Sequence, residues 1–144
     1  MSLLQSAQSC YTPFMMNFKQ WHENNEFFRE MKPYFGQCDK HQRLNLSELL
    51  LATSDTAVED YHQRGMTYNV LKDNGVAILV SRVSLRIHRH PQANHPFTVR
   101  TWEEAPAGLQ LTRRYELFDQ ENNPHTTCAV PARASVPPLR VWKR

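Results

Sequence analysis

The sequence predicts an α+β domain in which one long helix is wrapped by an antiparallel sheet. Two observations lead to this prediction. An apolar helix with signals at both ends is expected between Leu44 and Gly65, and three strand-like segments follow at 76–89, 97–104 and 109–118. A single apolar helix followed by a long meander of strands is best buried when the sheet curls around it.

The predicted helix has a recognisable beginning and end. Asn45 is a candidate N-cap, and Glu48 three residues later completes the pattern of a capping box. Leu44 and Leu49 have the spacing of a hydrophobic staple, and Gly65 suits the left-handed position after the last turn. Mostly apolar side chains recur along one side at helical spacing, namely Leu46, Leu50, Thr53, Ala57 and Tyr61.

The chain divides into three predicted regions. Residues 27–123 are expected to form the domain, and residues 1–26 form a lead-in that packs on its surface. Residues 124–144 are rich in proline, which removes donors from a strand ladder, and they are also basic. We therefore expect a poorly ordered tail there, with at most a short strand around 126–130.

Composition excludes several classes of function. The net charge is +3 and 40% of the residues are hydrophobic, which is ordinary for a globular protein. The arginines are spread along strand-like segments, so no nucleic-acid partner is expected. We also expect no membrane span, because no apolar run has the required length. The three cysteines are few and odd in number, and they lack zinc spacing. This pattern favours a cytoplasmic protein without a metal or other cofactor.

Three motifs follow one another in the predicted domain. They are the turn at Asp39 leading into LLLATSDTAVEDYHQRG, the strand GVAILVSR, and the pair RIHRHP and FTVRTW. Together they resemble the N-terminal of the two hot-dog domains of acyl-acyl-carrier-protein thioesterases, over about Tyr34 to Asn123. The resemblance implies a hot-dog fold. It also implies hydrolysis of the thioester between a fatty acyl chain and acyl carrier protein, or coenzyme A, in fatty acid biosynthesis.

The sequence also departs from that family. Its members have two hot-dog domains in tandem, and a His-Val-Asn-Asn run marks the helix entrance in the second one. The corresponding turn here reads Gln42-Arg43-Leu44-Asn45. We therefore expect a single-domain or truncated version, which acts either as a homodimeric thioesterase or as a non-catalytic acyl-binding and dimerisation domain without the catalytic half.

Candidate catalytic residues are acidic or basic side chains on the helix or in the turn before it. Thioester hydrolysis needs a carboxylate that activates water or attacks, and a donor for the oxyanion. Asp39 and His41 precede the helix, and Asp55 lies within its apolar stretch, where a buried carboxylate would need partners. Each of the three has a structural alternative, as a turn residue or a hydrogen-bonding residue. Glu59 and Asp60 are expected on the solvated face.

Candidate binding residues lie at the helix entrance and on one strand. Asn45 opens the helix, where backbone N–H groups and the helix dipole favour anionic groups. Arg86 and Arg89 can receive an acidic carrier protein, or they can keep a strand edge soluble. Both interpretations remain open for these two arginines.

Overall fold

The computed structural model describes residues 19–108 and 110–135, with the backbone alone at residue 125 and residues 127–135. Two helices are present in this part, α1 (Leu46–Gln63) and α2 (Tyr68–Asp73), together with a short 3-10 turn at Phe35–Gln37. The seven strands are β1 (Gln20–Glu23), β2 (Glu26–Met31), β3 (Ala77–Val80), β4 (Ser84–Ile87), β5 (Phe97–Glu103), β6 (Gln110–Asp119) and β7 (Pro124–Ser135).

The strands form one antiparallel sheet that curves around α1, as the sequence predicted. Its order is β1-β2-β5-β6-β7-β3, and β4 also pairs with β7. Alternate side chains of β5 and β6 face the helix, because successive residues of a strand point to opposite faces. The core cluster combines these side chains with those of α1 and its entrance, namely Leu44, Leu49, Ala57, Phe97, Val99, Tyr115 and Leu117.

The ends of α1 agree with the predicted bounds, but the capping chemistry differs at the first turn. Asn45 is the N-cap residue, yet its side chain makes no cap hydrogen bond. Glu48 instead accepts a hydrogen bond from Nε2 of Gln37 at 3.0 Å, so the predicted capping box does not form. At the other end, Gly65 has φ +80 and its N–H donates to the carbonyl of His62 at 3.0 Å. This is the left-handed cap that the sequence predicted.

The sheet covers only one side of α1. The buried positions are Leu49, Ala52, Thr53, Thr56, Ala57 and Asp60. Leu46, Leu51 and Val58 are exposed to more than half of their surface, so the helix keeps an uncovered apolar side. Of the predicted stripe, Thr53 and Ala57 are buried and Leu50 and Tyr61 are half-buried, but Leu46 is exposed.

The predicted strand at 76–89 is two strands with a break between them. β3 pairs with residues 132–135 of β7, and β4 pairs with residues 126–129. The intervening residues 81–83 pass residues 130 and 131 without strand pairing. Residues 81–83 (Ser-Arg-Val) contain no glycine or proline to signal a turn, which is why the pattern alone predicted one continuous strand.

The sheet extends beyond the predicted limits of 27–123 at both ends. β1 precedes that range, and β7 occupies residues 124–135, where we had expected a poorly ordered tail. Pro131 is accommodated because it lies in the gap between the partners of β7 on that edge, so its missing N–H removes no bond to β3 or β4. Residues 1–18 and 136–144, which include most of the predicted lead-in and the rest of the tail, lie outside the described residues.

Candidate functional site

Asp39 organises the loop that leads into α1. Its Oδ1 accepts hydrogen bonds from the backbone N–H groups of His41 at 2.8 Å and Arg43 at 3.0 Å. Its Oδ2 accepts from Nε of Arg43 at 2.9 Å. The backbone N–H of Arg43, with these other donors, lowers the pKa of Asp39 to about 2. A carboxylate held in its charged form in this way is a weak proton acceptor, so its position fits the structural alternative.

The other predicted residues at the helix entrance lie near Asp39. His41 is exposed, and Asn45 is half-buried, with its backbone N–H donating to the carbonyl of Gln37 at 3.0 Å. Cys38 precedes Asp39, and burial, followed by the charge of Asp39, raises the pKa of its thiol. A thiol in this state is a poor nucleophile at neutral pH.

Asp55 is exposed on α1, which corrects the expectation that it would be a buried carboxylate. Its side chain lies at the rim of a groove of about 70 Å³ between α1 and the end of β2. The groove is lined by Met31, Lys32, Pro33, Gln37, Leu44, Glu48, Leu51, Ala52, Asp55 and Phe97. Six of its ten lining residues are apolar, which suits an acyl chain. Ligand pockets usually exceed about 300 Å³, so the groove of a single chain is too small to enclose a whole ligand.

The structure does not bring Asp39 and Asp55 to one reacting centre. Asp55 lies nine residues after the first residue of α1. Nine residues of α-helix advance about 14 Å along the axis. Asp55 lines the groove beside α1 and Asp39 does not, so the two carboxylates belong to different sites within one chain.

Arg86 and Arg89 lie at the end of β4 and just after it. Arg86 is exposed on the strand, and Arg89 pairs with Oδ2 of Asp119 at 2.6 Å. Asp119 also accepts bonds from the backbone N–H groups of Glu121 and Asn123, both at 2.9 Å. The N–H of Asn123 and these other donors lower the pKa of Asp119 to about 2. Arg89 is therefore held in place by a carboxylate that stays charged.

The residue that sequence reasoning missed is Asp60, which is 4% exposed rather than solvated. Three side chains bind its carboxylate. Nε2 of His22 lies 3.1 Å from Oδ1. Oδ2 accepts hydrogen bonds from NH2 of Arg64 at 2.5 Å and from NH1 of Arg113 at 2.9 Å. Burial raises the pKa of Asp60, but the hydrogen bonds from His22 and Arg113 and the charges of both arginines outweigh it and lower the pKa.

Arg113 joins Asp60 to a second group of polar side chains. Its NH2 lies 3.2 Å from Oε1 of Glu103, and its guanidinium lies 4.5 Å from the centre of the Tyr61 ring. The hydroxyl of Tyr61 donates to Glu103. Burial, followed by the bond to Glu103, raises the pKa of Tyr61. This network joins the second half of α1 to β5 and β6.

A larger groove of about 490 Å³ lies on the opposite face of the sheet, and none of the predicted site residues line it. Its central side chain is Arg100, which binds Glu26 at 2.6 and 2.7 Å and Glu116 at 3.1 Å. The guanidinium also lies 4.9 Å from the centre of the Trp102 ring. Arg100, Glu26 and Glu116 pair with one another, so none of these three side chains is an unpaired catalytic group in the groove.

Two further properties bear on function. In the described part of the chain, no cluster of histidine, cysteine or acidic side chains is arranged to hold a metal ion. No helix within the described ranges is long and apolar enough to cross a bilayer.

One long helix, one curved antiparallel sheet and an apolar groove between them define the class of protein, which is a hot-dog protein. The chain belongs to the acyl-ACP thioesterase family: the model of the acyl-ACP thioesterase N-terminal domain matches residues 24–129. A search of curated protein sequences gave no significant match.

Solved structures share this fold at low sequence identity. An acyl-ACP thioesterase from Bacteroides thetaiotaomicron is 18% identical, with TM-score 0.73 over 77% of this chain and 46% of that one. A protein from Lactobacillus plantarum provisionally assigned as an oleoyl thioesterase is 15% identical, with TM-score 0.73 over 83% and 44%. The chain therefore spans less than half the length of these two proteins. A 1,4-dihydroxy-2-naphthoyl-CoA thioesterase from Synechocystis is 11% identical, with TM-score 0.71 over 78% and 84%.

Proposed function

We propose that this chain is a hot-dog unit of a thioesterase that hydrolyses fatty acyl thioesters in the cytoplasm, during fatty acid biosynthesis. The family match over residues 24–129 carries this proposal. The thioester carrier is acyl carrier protein in the first instance, with coenzyme A as the alternative. The apolar groove beside α1 is the proposed place for the acyl chain, because its lining combines apolar side chains with a carboxylate at the rim.

The unit is proposed to work together with a second hot-dog unit, in the simplest case a second copy of this chain. The exposed residues Leu51 and Val58 on α1, and Leu79 and Val80 on β3, support this part of the proposal. β3 is also an edge strand with unpaired backbone groups on one side. A second unit that packs on α1 would cover its exposed apolar residues and add walls to the groove.

Asp55 is the proposed general base or nucleophile. It lies at the rim of the groove and is exposed, whereas both oxygens of Asp39 are occupied within their own loop. His41 and the helix entrance at Asn45 remain proposed positions for polarising the thioester. A helix N-terminus offers N–H donors to a developing oxyanion.

The proposal is tested with a panel of acyl-ACP and acyl-CoA thioesters. We expect free fatty acid to be released, and we expect Asp55→Asn to lower kcat by about 10²-fold or more, as for loss of a general base. Asp39→Asn is the matched control at the other carboxylate, and it is expected to affect stability more than kcat. Equal turnover by Asp55→Asn and the unmodified chain would remove Asp55 from the mechanism.

A second candidate function is a non-catalytic acyl-binding domain. One observation favours it: the pKa of Asp39 is lowered to about 2 and Asp39 does not line the groove that Asp55 lines, so one chain does not bring these two carboxylates together there. Retention of acyl chains by the purified protein without any hydrolysis across the panel would establish this alternative.

A further inference from the structure

Aromatic side chains cross the face of the sheet that points away from α1. Trp21 on β1 is paired with Phe28 on β2, and their rings stack with centres 5.1 Å apart and planes 6° apart. Phe28 follows the buried core residue Phe27, so its side chain points to the opposite face. Trp21, Phe28 and Trp102 are half-buried, and we call them the outer aromatic row. They are apolar side chains on a face that an antiparallel sheet usually gives to water.

Arg100 joins the aromatic rings to the groove of about 490 Å³ on the same face. It is paired with Phe28 across β2 and β5, and its guanidinium lies 6.0 Å from the centre of the Phe28 ring and 4.9 Å from that of Trp102. The same guanidinium pairs with Glu26 and Glu116. The centre of the groove therefore presents paired charges beside aromatic rings, and its volume falls within the range of about 300–1,000 Å³ that bound groups occupy.

The chain enters the sheet beside the outer aromatic row. The N–H of Glu30 donates to the carbonyl of Lys19 at 2.8 Å, so residue 19 is already fixed against β2. The ammonium of Lys19 lies 5.3 Å from the centre of the Trp21 ring, on the outer face. Residues 1–18, which lie outside the described residues, therefore join the sheet next to one end of the row.

The composition and length of residues 1–18 suit a segment that covers apolar surface. Ten of these 18 residues are apolar, and none of them is acidic or basic. Methionine, which adapts to irregular apolar surfaces, and aromatic residues concentrate near β1, namely Tyr11, Phe14, Met15, Met16 and Phe18. Eight extended residues span about 26 Å, whereas the four strands from β1 to β6 are only about 14 Å across.

We propose that residues 11–18 dock on the outer aromatic row of their own chain and fill the adjoining groove. Three observations identify this segment as the occupant: it joins β1 beside the row, it is long enough to cross the four strands, and it carries no charge that would have to be buried. The inference does not depend on the proposed function, because it leaves the exposed apolar residues of α1 and β3 available to a second unit.

The test is photo-cross-linking within the full chain. The substitution Phe14→p-benzoylphenylalanine replaces one aromatic group by another, and mass spectrometry identifies the linked peptides. We expect links to the peptides that carry Phe28 or Trp102, which are informative because both lie far from position 14 in sequence. The matched control carries the same group at Tyr68, which is 76% exposed on α2, and it is expected to give no link to these peptides. Links from position 14 only to α1 or β3, or no links at all, would overturn the proposal.

Two further arms identify the occupant. In an equal mixture of ¹⁵N-labelled and unlabelled chains, we expect each link to join peptides of the same isotope; mixed links would show that a second copy covers the row, and the proposal would fail. Met15→Asp/Met16→Asp is expected to lower the yield of links about tenfold, because two carboxylates would have to leave water. Ser6→Asp/Ser9→Asp adds the same charge outside the docked residues and is expected to keep most of the yield. Equal yields from the two double variants would also contradict the docking.

Discussion

At the scale of residues, two acidic side chains of α1 exchanged their expected roles. Asp55 was expected to be buried and is exposed, whereas Asp60 was expected to be solvated and is buried. The signal was present in the sequence, because Asp60 lies four residues after Thr56, and Arg113 lies two residues before Tyr115 on the inward face of its strand. An acidic and a basic side chain that both fall at core-facing positions together predict a buried ion pair. Neither residue predicts that pair by itself.

Removal of Arg113 tests this ion pair. Arg113→Ala leaves the carboxylates of Asp60 and Glu103 without a buried counter-charge, so we expect the free energy of unfolding to fall by about 3–5 kcal/mol. Urea denaturation measures the change. The neighbouring Arg114→Ala is the control, because that exposed pair with Glu104 contributes at most about 1 kcal/mol. Equal losses in the two variants would show that Arg113 is not specially placed.

Acid denaturation provides a second test of Asp60. The pKa of Asp60 is lower in the folded protein than the ordinary aspartate value of 3.8. Its contribution to the free energy of unfolding is therefore fully present above pH 3.8, and it is lost as the pH falls through the folded pKa. We expect the unmodified chain to lose stability over this range more steeply than Asp60→Asn, which is already weaker at pH 7. Measured unfolding curves that stay parallel from pH 7 to pH 2 would contradict the assigned role.

At the scale of elements, the helix and the central strands were predictable from local signals. Hydrophobic spacing and Gly65 indicated α1, and alternation indicated β5 and β6. β7 was not predictable in the same way, because its prolines argued against a strand. The position of Pro131 opposite a gap in the pairing depends on where β3 and β4 end. That information is tertiary, so no local pattern in the sequence contains it.

The helix cap at Gly65 gives a test at this scale. An alanine there must adopt φ near +80, so we expect Gly65→Ala to destabilise the fold by about 1 kcal/mol. Gly36→Ala is the matched control, because Gly36 has no positive φ and its Cβ would meet no atom within 4 Å. A larger loss for Gly36→Ala than for Gly65→Ala, measured by chemical denaturation, would contradict the assignment of the cap.

At the scale of the whole molecule, the fold was predictable, and the arrangement of the candidate site was predictable only in part. The motifs indicated a hot-dog fold, and the structure agrees. The candidate residues at the helix entrance do lie together, since Asp39, His41 and Asn45 share one loop and its continuation. Asp55 lies apart from them, exposed on α1 beside the groove. Its exposure depends on how the sheet covers the helix, which no local pattern in the sequence contains.

The mass of the protein in solution tests the proposed assembly. We expect a dimer by light scattering, and we expect Leu79→Lys on β3 to shift it to a monomer, because the new charge lies on the exposed apolar edge. Glu23→Lys places a lysine on β1 at the opposite edge of the sheet and is expected to leave the dimer intact. A monomer for the unmodified chain would contradict the proposed pairing.

The most direct measurement of the central claim is the release of free fatty acid from a mixed-length pool of acyl-ACP by the dimeric fraction. The proposed thioesterase predicts multiple turnovers that fall by about 10²-fold or more in Asp55→Asn, while the dimer and acyl binding persist. An unmodified dimer that binds the acyl chains and releases no fatty acid above the buffer rate would contradict it.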